Sequence, residues 1–264
     1  DSAVCNEAVK LAKRHKFAQL SGFVNGVLRN IARNIDSVQL DTLSIRYSMP
    51  QWIVDRFVAA YGEKKAEEIF KAFHSKSTIS IRTNLTRCTP DELRVMLEAE
   101  GVTVTAVDEL NYAFVISGFD YLNGLQSFRD GLFYVQDISS MLVAQTAAPK
   151  KGDYVIDVCA APGGKSTHIA ELLQGSGHVL ARDLTDNKVD MIEENIERHG
   201  LNNMSAEVWD ATVFDADSAG KADILICDLP CSGLGVLGRK KDIRYKMTPE
   251  TVDELAALQR QILD

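Results

Sequence analysis

Tyr154-Val155-Ile156-Asp157-Val158-Cys159-Ala160-Ala161-Pro162-Gly163-Gly164-Lys165-Ser166-Thr167 is the stretch on which the reading of the chain turns. It opens as an apolar strand and runs into an amphipathic helix expected over 164–173. Between them, small residues from 160 to 164 let backbone approach a ligand closely, and the helix N-terminus favours a negative group. Gly-Lys-Ser-Thr resembles the end of a phosphate-binding loop, but the leading glycine of that pattern would fall at 159, which is cysteine. The G-x-G-x-x-G of a dinucleotide site is missing. A purely structural tight turn is the remaining rival, and Lys165 alone would pass for a solvated first-turn lysine. The whole turn is more than either requires, so Cys159, Ala160, Ala161, Pro162, Gly163, Gly164 and Lys165 are read as a ligand loop.

Around this loop, strands are expected at 154–158, 178–182, 205–209 and 223–227. They alternate with helices at 164–173 and 186–199; another helix precedes them at 137–147, and Thr248-Pro249 starts a last one. That alternation implies a parallel sheet covered on both faces, a doubly wound α/β domain over 128–264. Asp183 ends the second strand, 24 residues after Cys159. An acidic residue there accepts from ribose hydroxyls in doubly wound sheets, or merely caps a helix. Asp210 ends the third strand and is placed to accept from a base amino group; a surface-loop aspartate is the plainer reading. The strand Ala222–Cys227 leads into Asp228-Leu229-Pro230-Cys231-Ser232-Gly233-Leu234-Gly235. Switch-point logic sets its end beside the first strand, facing the same ligand.

Upstream, residues 6–35 carry Leu11, Phe17, Leu20, Phe23, Val24, Val27, Leu28 and Ile31 at helical spacing, too short a stretch to bury that stripe alone. Residues 36–48 read as a linker. Helices follow from Ser48-Met49-Pro50 to Gly62 and over 63–73. Thr78–Asn84 alternates as a strand, Thr89-Pro90-Asp91-Glu92 is a helix start with a capping box, and Gly101 ends that helix. Strands near 102–106 and 113–117 complete a small α+β subdomain at about 75–125.

The 264 residues hold 29 Lys and Arg against 37 Asp and Glu, a net charge of −8 that argues against indiscriminate polyanion binding. The imbalance is local: residues 1–150 carry 17 basic and 17 acidic side chains, residues 151–264 carry 12 and 20. Within the acidic half lies a basic run, Arg239, Lys240, Lys241, Arg244 and Lys246; Lys13, Arg14, Lys16, Arg29 and Arg33 make another patch. A solvated surface is the bland reading of each. The five cysteines (Cys5, Cys88, Cys159, Cys227, Cys231) suit a reducing cytoplasm better than a disulfide framework. The spacing of Cys227 and Cys231, with no second pair or nearby histidine, argues against zinc. No apolar run of membrane-spanning length occurs. The start at Asp1 reads as a cut within a longer protein, and a monomer is expected.

The glycine-rich turn and the Asp-Leu-Pro-Cys loop together resemble the RNA 5-methylcytosine methyltransferase family, across about 128–264. Phe23-Val24-Asn25-Gly26-Val27-Leu28-Arg29 is similar to the last helix of a NusB-like RNA-binding domain, which points to the RsmB (Sun/Fmu) type acting on small-subunit ribosomal RNA. The resemblance implies a Rossmann-like domain binding S-adenosylmethionine (AdoMet) through the loop at 159–165, Asp183, Asp210 and Asp228. It implies a remnant of the NusB-like domain over 1–36 and linker helices with an RNA-binding α+β subdomain over 37–127. In that family a thiolate adds to C6 of cytosine, C5 takes the methyl group and loses its proton, and the thiolate departs. Cys231 matches the cysteine that assists release, while the nucleophile of a later Thr-Cys motif is expected beyond Asp264, so the chain alone should turn over poorly. Cys231 as nucleophile, as in DNA cytosine methyltransferases, is the alternative. Next to a site receiving a flipped base, the run from Arg239 to Lys246 reads as phosphate contacts. The rival functions are a non-catalytic RNA-binding assembly factor and a tRNA-directed enzyme.

Overall fold

The computed structural model describes residues 2–37, 39–75 and 78–264; Val38, in the expected linker, and Lys76 and Ser77, at the start of the expected subdomain, lie outside the described residues. The chain divides into two units, residues 1–74 and 75–264.

The first unit is helical: α1 (Ser2–Arg14), α2 (Ser21–Asn34), α3 (Leu43–Arg46), α4 (Gln51–Tyr61) and α5 (Glu63–Phe73). The helical stretch expected over 6–35 is divided into two helices. Lys16 adopts φ +67, the Phe17 N–H reaches the Ala12 carbonyl at 2.9 Å, and the Lys16 N–H reaches that of Lys13 at 3.2 Å. This is a Schellman stop with lysine where glycine is usual, and so it carries no glycine signal. Leu11, Phe23, Val27 and Ile31 stay exposed, as expected of a stripe with too little chain to cover it. Gly62 ends α4 at φ +78, and Ile53, Ala66 and Phe70 are buried where α4 and α5 pack.

The second unit opens with an antiparallel sheet. Its elements are β1 (Ile79–Thr83), α6 (Pro90–Ala99), β2 (Thr103–Val107), β3 (Leu110–Ser117), α7 (Gln126–Arg129) and β4 (Phe133–Val135), with strand order β2-β3-β1-β4. The capping box forms as expected: the Glu92 carboxylate accepts from the Thr89 N–H at 2.8 Å, and the Thr89 hydroxyl accepts from the Glu92 N–H at 3.3 Å. Ile81, Leu93, Leu97, Phe114, Ile116 and Phe133 form the core of this layer. The sheet outruns its expected limit near 125–127, because β4 pairs with β1 through Ile81↔Val135 and Thr83↔Phe133.

The chain then crosses into the parallel sheet: α8 (Ile138–Ala147), β5 (Tyr154–Asp157), α9 (Gly164–Leu172), β6 (His178–Asp183), α10 (Asp186–His199), β7 (Met204–Val208), β8 (Ile224–Ile226), α11 (Ile243–Lys246) and α12 (Pro249–Leu263). Strand order is β7-β6-β5-β8, all parallel. Counted from β5, this is the 3-2-1-4 order of a Rossmann-like sheet, whose switch point lies between β5 and β8. Val155, Ile169, Val179, Ala181 and Ile192 are buried between strands and helices.

Arg82 of β1 locks the two sheets together. It is 1% exposed, and its guanidinium donates to both Glu171 oxygens of α9 (2.8 and 3.3 Å), to the Gly164 carbonyl (3.0 Å), to the Thr167 hydroxyl (3.2 Å) and to Gln136 Oε1. Desolvating a charge is tolerable only when its donors are matched in this way. Replacing Arg82 by Met strands Glu171 and should cost about 3–5 kcal/mol. The double variant Arg82→Met/Glu171→Leu should recover much of that loss. Urea unfolding followed by Trp209 fluorescence in a Trp52→Phe background measures both; equal losses in the single and double variants would refute the pairing.

Candidate active site

β5 delivers its C-terminal end to the switch point and the chain turns sharply. The Ala160 N–H donates to the Arg182 carbonyl at 2.8 Å, and the Gly163 N–H closes on the Ala160 carbonyl at 2.7 Å. Gly163 sits at φ +99, a conformation that disfavours any side chain, and α9 starts at the next residue. At Gly164 space is tight instead: a Cβ there would lie 3.2 Å from the Tyr134 ring, which would have to give by a few tenths of an ångström. The Pro162 carbonyl accepts from the Tyr134 hydroxyl (3.1 Å) and from Asn195 Nδ2 (3.0 Å), so neighbours from β4 and α10 fix the turn.

The turn forms one wall of a cleft of about 170 Å³, which Tyr134, Gln136, Asp137, Asp157 and Asp228 also line. Of the sequence-derived loop, Cys159, Ala160, Ala161, Pro162, Gly164 and Lys165 line it too. The Lys165 ammonium meets the Asp228 carboxylate at 2.5 Å, which joins the loops after β5 and β8. Asp137 pairs with Arg239, bringing the first residue of the basic run to the rim. Asp157 is 1% exposed; Ser166 donates to its Oδ2 at 2.6 Å, and Oδ1 has no hydrogen-bond partner among the described residues. Burial pushes this carboxyl up from 3.8 to about 6, opposed by the Ser166 hydroxyl, the Cys159 N–H and Lys165 and reinforced by Asp228.

Asp183 is buried behind the turn. Its Oδ2 accepts from the Ala161 N–H at 3.0 Å, and its Oδ1 accepts from the Leu184 N–H and the Lys188 ammonium, each at 2.8 Å. It therefore shapes the loop from behind at the end of β6 and is not among the cleft-lining residues. Asp210 does not line the cleft; it is exposed and held by the Thr212 N–H (2.9 Å) and hydroxyl (2.7 Å), which lower its pKa. Cys231 is exposed three residues beyond Asp228 and is not among the cleft-lining residues. Burial, with Asp183 and Asp157 nearby, pushes the Cys159 thiol up to about 11, and burial also raises Cys227. Both thiols are therefore held in the unreactive, protonated form.

Lys240, Lys241 and Lys246 are exposed. Arg244 departs from its expected surface role: it is 3% exposed and donates to the Leu237 carbonyl at 3.4 Å, so it braces the loop from inside. Sequence reasoning passed over Gln136, Asp137 and Asp157 as site residues. The Gln-Asp pair ending an apolar Phe-Tyr-Val run, and the acid at the end of β5, were the available signals.

No group of metal-ligating side chains occurs among the described residues, and no described helix is long and apolar enough to cross a membrane. A 3-2-1-4 parallel sheet with a glycine-rich turn at its switch point defines a Rossmann-like methyltransferase fold, and solved structures agree. The crystal structure of PH0851 superposes at TM-score 0.84 with 25% identity, over 96% of this chain and 58% of that one. NSun6 from Pyrococcus horikoshii with SFG gives 0.71 at 21% identity, over 81% and 78%, a likeness of fold alone.

Sequence comparison narrows this further. Residues 144–264 match the family 16S rRNA methyltransferase RsmB/F, residues 49–119 the RsmF/B-like ferredoxin-like domain, and residues 1–33 the NusB family. The chain is 37% identical to the probable ribosomal RNA small subunit methyltransferase B of Bacillus subtilis, over 100% of this chain and 60% of that protein. It is 31% identical to the ribosomal RNA small subunit methyltransferase B of Shewanella oneidensis, over 99% and 60%. Along its whole length the chain is similar to the RsmB/F family of ribosomal RNA methyltransferases, whose methyl donor is AdoMet, and it spans about 60% of the length of these curated relatives. The cleft fits such a cofactor: Gly164 lines it without a side chain, and Asp157 Oδ1 is a buried acceptor with no hydrogen-bond partner among the described residues.

Asp157 binds its proton more tightly in the folded chain than in the unfolded one, so its ionisation weakens the fold as pH rises from about 4 to 6. Asp157→Asn should therefore stabilise the ligand-free protein above pH 6, by on the order of 2–3 kcal/mol, with the gain vanishing below about pH 4. Thermal denaturation across pH 4–8 tests it; a gain independent of pH would contradict this account.

Proposed function

We propose that this chain forms the donor-binding part of an enzyme that moves the methyl group of AdoMet to C5 of a cytosine in small-subunit ribosomal RNA. The observation that carries the reading is the 2.5 Å contact between Lys165 and Asp228, which sets the glycine-rich turn and the Asp-Leu-Pro-Cys loop against one another at the sheet's switch point. AdoMet would supply an electrophilic methyl group on its sulfonium. In this reading the backbone from Cys159 to Lys165 takes the amino-acid side of the cofactor, Gly164 keeps a side chain out of the cleft, and Gly163 turns the chain into α9. Asp183 takes the ribose hydroxyls through Oδ1, exchanging its partly exposed partner Lys188 for the ligand. Asp210 accepts from the adenine amino group across the open end of the site.

Asp228 leaves Lys165 to accept from the cytosine amino group or to face the cofactor. Cys231, exposed and next to that carboxylate loop, is the thiol that assists release of the C6 adduct in this scheme. Cys159 and Cys227 take no part, being held protonated. Arg239, Lys240, Lys241 and Lys246 are the phosphate contacts of the proposal; Arg244 supports them from inside the loop.

Two outcomes are expected. In the full-length protein, Cys231→Ala should trap RNA covalently, giving a slower band on a denaturing gel after incubation with RNA and AdoMet. Normal turnover without a trapped species would sink the release role, and a wild type inert towards RNA would favour an assembly factor. Lys240→Glu with Lys241→Glu should weaken RNA binding and flatten the plot of log affinity against log salt by roughly 0.7–0.9 per lost phosphate contact. An unchanged slope would remove these lysines from the interface.

A further inference from the structure

Cys231 sits on a loop with little of its own to hold it. Residues 228–232 make no backbone–backbone hydrogen bond among the described residues, and Cys231 is exposed. A thiol that must meet one atom of a bound base needs more order than such a loop supplies, since small misplacements of a reacting group are costly. Contacts from outside the loop supply it. Lys165 holds Asp228 at its start. At its end Gly233, with φ +67, lies so close to α11 that a Cβ there would meet Ile243 Cδ1 at 2.8 Å. Between them, Gln259 Nε2 of α12 donates to the Pro230 carbonyl at 2.7 Å.

This last contact acts on the residue next to the thiol. The pyrrolidine ring fixes φ of Pro230, which leaves ψ as the soft torsion that swings Cys231. A hydrogen bond to the Pro230 carbonyl sets that ψ, because the carbonyl and the Cα of Cys231 lie in one rigid peptide plane. Gln259 is half-buried, and none of the residues of α12 is fully buried. Among the described residues, its bond to Pro230 is the only side-chain hydrogen bond joining α12 to another part of the chain. The amide is thus spent on the loop rather than on a helix core.

The geometry points to Gln259 as a positioning residue for Cys231: by pinning the Pro230 carbonyl it holds the thiol where release of the RNA adduct requires it. This role rests on the release function given to Cys231 above and adds to it a residue outside the Asp-Leu-Pro-Cys loop. In the release step the C5 proton passes to a base, the C5–H electrons form the C5=C6 double bond, and the C6–S electrons return to the nucleophile as its thiolate. Forming the adduct precedes all of this. A loosened Cys231 should therefore slow release and spare adduct formation.

Single-turnover kinetics of the full-length protein with an unmodified small-subunit ribosomal RNA transcript and AdoMet, read as the covalent band on a denaturing gel, test the assignment. Gln259→Met keeps the length of the side chain without its donor, and Gln259→Glu sets an acceptor against the carbonyl. In each, decay of the adduct should slow by about 10- to 100-fold, the scale on which small misplacements of a reacting group act. Appearance of the adduct and the KM for AdoMet should stay within about twofold, which also certifies that each variant is folded. Because Gln259 acts through Cys231, adding Gln259→Met to Cys231→Ala should leave the decay rate of the Cys231→Ala variant unchanged. Appearance and decay slowed together, unchanged decay, or further slowing in the double variant would overturn the positioning role while leaving that of Cys231 in place. A Cys231→Ala variant that releases RNA as fast as the wild type would overturn the release function itself, and the role of Gln259 with it.

Discussion

The buried guanidinium of Arg82 is the constraint around which the second unit is arranged. A charge this deep must have every face occupied, and the acceptors come from separate places: Glu171 and Thr167 within α9, Gly164 at its first turn, and Gln136 just past β4. Satisfying them together sets the rotation of α9 about its axis and its advance towards the antiparallel sheet. The glycine-rich turn is the N-terminal extension of that same helix, so its position follows. Ion pairs of this kind add little net stability compared with an apolar core. What this one adds is geometric: few alternative packings would match so many donors at once.

The chemistry of the site is graded by burial. Three cysteines lie on or next to the strand ends that meet at the switch point, and the protein environment separates them without any change in residue type. Burial and nearby carboxylates push the Cys159 thiol up; Cys227, though exposed, is raised too by partial desolvation and by Asp157, and Cys231 stands in solvent on a loop. The carboxylates divide similarly. Asp183 is consumed largely by the fold, Asp228 is exposed and paired with a single lysine, and Asp157 is buried with one oxygen unspent.

Local patterns were readable from the chain alone; long-range pairing was not. The alternation of strands and helices after residue 150, the capping box at Thr89 and the stop at Gly101 all depend on neighbours in sequence, and they appear as read. The glycine-rich turn and the Asp-Leu-Pro-Cys loop were placed together through the switch-point rule, and the Lys165–Asp228 contact joins them. The stop at Lys16 was hidden because a lysine fills the left-handed position. β4 escaped because three residues, Phe133–Val135, are too few to show a period, and their pairing partner lies some fifty residues upstream. Arg82 looked like one residue of an alternating strand, since its partner Glu171 is 89 positions away. Arg244 was grouped with its basic neighbours because charge is visible in a sequence and burial is not.

The pairing of β4 with β1 bears on how such proteins can be recombined. A chimaera exchanging the ferredoxin-like layer between relatives looks simple if the junction is put in the loop near residue 125. That junction would leave β4 and Gln136 with one parent while Arg82 came from the other, dividing a hydrogen-bonded set between two evolutionary histories. Crossing over after Asp137 keeps strand, amide and guanidinium in common descent and leaves only the contacts of Arg82 with α9 to be matched between parents, so the inheritable module is longer than the domain boundary suggests.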